Sequence, residues 1–128
     1  MIRGLKIVMI IWAAIGILLG LAFVFFPTQL GAMQGYEKGP AWSPYLHAML
    51  GITFIAIGAF LIVAARDPLR NILWVQLVIT LTILMVAVEV YSLIRGFVTF
   101  EQVGMSIIID AVFFVVFMAL YPWRAARE

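Results

Sequence analysis

Four residues hold most of the chemistry that this sequence can offer: His47, Glu89, Arg95 and Asp110. Glu89 and Asp110 are carboxylic acids set inside long apolar stretches. An ionisable side chain at membrane depth is expensive, so each marks a functional site by default. Two carboxyls at one depth repel when both are charged, so such a pair can hold a proton. With His47 it could instead ligate a divalent cation, although no metal site is assigned on this spacing. The plainer reading is a hydrogen-bonded polar plug that sets helix register, with Arg95 or His47 as counter-charge. At helical period Thr82, Met85, Glu89 and Ser92 share one face, and Ser106 and Asp110 share another. No catalytic residue is assigned. The chain has no glycine-rich phosphate loop, no nucleophile elbow and no HExxH, and its lone histidine has no neighbouring nucleophile. Enzymatic activity by this chain alone is not expected, and no cofactor can be named.

The elements that must position these residues follow from composition. Of 128 residues, 66% are hydrophobic and 11% are charged. An ordinary soluble domain is roughly 45–50% apolar and about 25% charged, so the excess apolar surface has to face lipid. The absence of cysteine excludes disulfides, Cys-ligated zinc, iron–sulfur clusters and covalently attached c-type haem. A single histidine excludes a bis-histidine haem within one chain. The net charge of +2, with no basic run, gives no reason to expect a nucleic-acid partner.

A helix needs about 20 mostly apolar residues to cross the roughly 30 Å hydrocarbon layer. Four stretches qualify, over residues 7–26, 46–65, 72–94 and 103–122. They predict an all-α integral membrane protein, one antiparallel four-helix bundle forming a single domain over 1–128. The tight turn from Arg66 to Asn71 makes the second and third helices antiparallel neighbours, and a short loop joins the third to the fourth. Residues 27–44 form a longer outer loop lying at the interface, with one helical turn near Leu30 to Gln34. Its aromatic residues, Tyr36 and Trp42, suit headgroup depth. The loop is either a plain connector or a lid over the outer face. The first helix has a positive start but too long an apolar core for a cleaved signal peptide, so it is expected to be retained.

Lysine and arginine set the orientation. Arg3, Lys6, Arg66, Arg70, Arg124 and Arg127 fall on one side, and Lys38 and Arg95 on the other. Six against two places both termini in the cytoplasm and the long loop outside. The expected location is the inner (plasma) membrane.

In lipid, helices pack closely where small residues let their backbones approach. Gly16 and Gly20 on the first helix and Gly51 and Gly58 on the second offer such faces, which are expected to meet. Gln76 and Thr80 form a separate polar pair in the inner half, read as helix–helix glue.

The run His47-Ala48-Met49-Leu50-Gly51, then Gly58, then Ala64-Ala65-Arg66-Asp67-Pro68-Leu69-Arg70-Asn71 resembles small bacterial membrane proteins of the BphX-like and DoxX-like type. The resemblance covers mainly residues 45–80. It implies a four-helix chain in the bacterial inner membrane, and no catalytic residue carries over from it. Two functions stay open. One is a non-catalytic accessory subunit or scaffold, whose partners are the bilayer and other membrane subunits or further copies of itself. The other is a proton- or small-molecule-handling protein that uses the outer polar cluster, in the form of a subunit of a quinone-linked oxidoreductase.

Overall fold

The computed structural model describes residues 2–36 and 39–123. Lys38, Arg124 and Arg127, which enter the charge count above, lie outside that set. Among the described residues all regular structure is helical: α1 (Ile2–Phe25), α2 (Pro27–Met33), α3 (Ser43–Ala64), α4 (Ile72–Ile94) and α5 (Phe100–Leu120). The helices α1, α3, α4 and α5 are long and apolar enough to cross a membrane.

Their bounds differ from the hydropathic ones where local chemistry extends or stops a helix. α1 starts five residues earlier than residue 7, because Arg3 and Lys6 are good helix formers whose charge hides them from a hydropathy reading. α3 starts at Ser43 with Pro44 in its first turn, where a missing N–H costs nothing. α5 starts at Phe100 because Thr99 caps it. The Thr99 hydroxyl accepts from the Gln102 N–H at 3.3 Å, and Gln102 Oε1 accepts from the Thr99 N–H at 2.9 Å. This reciprocal capping box satisfies two otherwise orphaned donors. α5 ends at Leu120, two residues before Pro122, since the residue preceding proline is driven out of helical geometry. The expected single turn in the 27–44 loop is a seven-residue helix, α2, opened by Pro27.

The closest helix pair is α1 with α3, and α4 with α5 forms a second. Gly20 meets Gly51 so tightly that a Cβ on either would stand 2.5 Å from the other's carbonyl oxygen. Gly58 faces Ala13 and Ile17 in the same seam. α3 and α4, joined by the short turn, meet mainly through side chains. Phe60 of α3 stacks on Trp74 of α4 with ring centroids 5.4 Å apart. α3 and α4 are thus in side-chain contact, as the tight turn leads one to expect, while the closest backbone approaches are α1 on α3 and α4 on α5.

The buried core lies at one end of the bundle. It joins Leu5, Met9 and Trp12 of α1, Leu61 and Ala64 of α3, Val75 and Val78 of α4, and Phe117 of α5. Tyr121 closes it, accepting from Gln76 Nε2 at 2.7 Å. Gln76 thus joins α4 to the end of α5, as expected of helix–helix glue, whereas Thr80 is exposed and takes no part in that bond. Toward the end that carries α2 the packing thins, and beyond Thr82 no residue of α4 is buried.

Candidate functional site

The polar residues gather at the thinly packed α2 end. Glu89, near the end of α4, and Asp110, midway along α5, lie close enough for their carboxyls to interact. Asp110 is only 9% exposed. Glu89 is half-buried, and its Oε2 is enclosed without a hydrogen-bond partner among the described residues. The close packing of α4 on α5 brings the two together. The acids sit on either side of the short connection from α4 to α5.

A third group joins them that the sequence reading had placed at the interface. Tyr36 lies close enough to Glu89 to feel its charge. Burial first, and the Glu89 charge second, hold the Tyr36 phenol above the ordinary tyrosine value, so it stays a hydroxyl at neutral pH. Two backbone devices put it there. α2 ends in a Schellman motif: Gly35 takes φ +86°, its N–H bonds Ala32 O at 3.1 Å, and the Tyr36 N–H bonds Gly31 O at 2.9 Å. Only a residue without Cβ adopts that backbone easily. Gln102 then clasps the turn, donating from Nε2 to Gly35 O at 3.0 Å. The signals for this were in the sequence as a Thr-x-x-Gln box and a glycine after an apolar turn, but neither names its tertiary partner.

Arg95 stays apart. It is exposed and lies 5.7 Å from the Phe97 ring, past the Schellman end of α4, where the Phe97 N–H bonds Ser92 O at 2.9 Å. No ion pair joins it to Glu89 or Asp110, so it is not the counter-charge of the pair in this structure.

His47 stands on the other side of Tyr36, in the wall of a cleft of about 650 Å³. The cleft opens between the end of α1, α2, the following linker and the start of α3, and Tyr36 also lines it. His47 Nδ1 lies 2.8 Å from Ser43 O, and its ring centroid is 5.8 Å from that of Phe23. The fold therefore makes two adjoining features, a carboxyl pair and an aromatic cleft, with Tyr36 common to both. Among the described residues no group of three or more acids, histidines or cysteines could hold a metal ion. The packing glycines stand elsewhere, in the α1–α3 seam. No family model, curated protein or solved structure matches the chain.

Proposed function

We propose that this chain is a non-catalytic integral protein of the inner (plasma) membrane that serves as an accessory subunit or scaffold of a larger membrane complex. Its four long helices cross as an antiparallel bundle, with both termini cytoplasmic and α2 outside. The observation that carries the subunit role is the orphaned Glu89 Oε2 on a stretch of α4 where no residue is buried. A half-buried acid at membrane depth is costly to leave against lipid. A neighbouring chain that covers this exposed stretch of α4 shields Glu89 from lipid and lowers that cost. The six-to-two distribution of basic residues supports the orientation.

The test is extraction in mild detergent followed by native mass spectrometry. The expected result is a stoichiometric second membrane chain, or further copies of this one, with Glu89→Gln weakening the assembly. A solitary chain under these conditions overturns the subunit role.

A second reading is favoured by the grouping of Tyr36, Glu89 and Asp110. In it the chain handles a proton or a small molecule through the outer polar cluster, and the DoxX-like resemblance suggests the setting of a quinone-linked oxidoreductase. Under that reading Glu89→Gln leaves assembly intact and removes the activity of the complex.

A further inference from the structure

The cleft beside His47 has a definite hydrogen-bonding polarity. A backbone carbonyl can only accept, so the 2.8 Å contact with Ser43 O puts the ring proton on Nδ1. In the neutral imidazole Nε2 is then a lone-pair acceptor, and no described residue donates to it. Phe23 supplies an aromatic face beside it, 5.8 Å between centroids and tilted by 33°, with Phe54 a further 6.2 Å from Phe23. No lysine, arginine, aspartate or glutamate is among the described lining residues; Glu37 and Lys38, between the lining residues Tyr36 and Gly39, lie outside the described set. Its volume of about 650 Å³ lies within the roughly 300–1,000 Å³ of small-molecule sites.

We propose that this cleft binds a small aromatic alcohol, its ring against Phe23 and its hydroxyl donating to His47 Nε2. Tyr36 and Gln34, both in the lining, carry donors suited to a second polar group on the ligand. The proposal stands apart from the subunit role, since the lining residues all come from this chain and the orphaned face of α4 is not among them.

The experiment titrates the purified full-length protein in nanodiscs with 2-naphthol, followed by probe fluorescence, against empty nanodiscs to remove partitioning into lipid. Saturable binding of one 2-naphthol per chain is expected. 2-Methoxynaphthalene keeps the ring but cannot donate, and should bind about tenfold more weakly, the size of one hydrogen bond. His47→Phe retains the ring contact with Phe23 and should remove this preference, making the two probes equal. Equal affinities for the wild-type protein, or 2-naphthol uptake that only follows lipid content, overturn the proposal whether or not the variant folds. An unchanged preference in a folded His47→Phe overturns it as well.

Discussion

A carboxyl in hydrocarbon must find a donor, share a proton or reach water, and Glu89 and Asp110 meet that demand unequally. Asp110 is nine-tenths buried and lies close to Glu89, whereas Glu89 keeps one enclosed oxygen without a partner. Glu89→Gln removes the charge while retaining donor and acceptor capacity. Its melting temperature in detergent is expected to equal or exceed that of the parent chain. Asp110→Ala should be harsher, because it strips the more buried member and leaves Glu89 alone. Leaving a buried polar group without its hydrogen-bond partner costs about 1–3 kcal/mol. A melting temperature for Asp110→Ala no lower than that of the parent would mean that the two acids do not act as a unit. Neither change touches Gln102, whose clasp on Gly35 holds the Tyr36 turn.

At the scale of elements, the α1–α3 seam turns on which glycines face a backbone rather than on their spacing. Gly16 and Gly20 form one GxxxG pair, yet they meet different surroundings. A Cβ at Gly20 would stand 2.5 Å from Gly51 O, whereas one at Gly16 would meet only Phe54 O at 3.9 Å, an ordinary contact. Gly20→Ala and Gly51→Ala should each lower the melting temperature, because a carbonyl oxygen cannot move aside as a flexible side chain does. Gly16→Ala should be neutral or slightly stabilising, since alanine is favoured over glycine in a helix by up to about 1 kcal/mol. Thermal denaturation of the three variants decides the matter. A loss at Gly16 equal to that at Gly20 would mean that the seam is uniformly tight.

For the whole molecule, the buried core at one end and the polar groups at the other make the two ends unlike. The proposed orientation puts the core end toward the cytoplasm. Because the chain has no cysteine, single-cysteine variants report orientation cleanly. Ala41→Cys, in the exposed linker after α2, should react with an impermeant thiol reagent added to intact cells. Arg70→Cys, exposed in the turn between α3 and α4, should react only after the membrane is opened. The reverse pattern would place the cleft and the carboxyl pair on the cytoplasmic side.

The four long helices were legible because hydrocarbon imposes one requirement on every residue of a span, and a run of apolar residues records it locally. Glu89 and Asp110 stood out for the same reason, as exceptions inside such runs. Helix partnership was legible in part. The glycines pointed to α1 against α3, where the backbones approach most closely. The tight Arg66–Asn71 turn pointed to α3 beside α4, which touch through Phe60 and Trp74. Which contact is the tighter depends on what both surfaces present. Arg95 looked like a counter-charge by its nearness in sequence, but the turn at the end of α4 carries it out over Phe97. Tyr36 joined the site only through the Gly35 turn and the Gln102 clasp. The bond from Gln102 to Gly35 spans 67 residues of sequence, and no local pattern records which distant carbonyl a side chain will find.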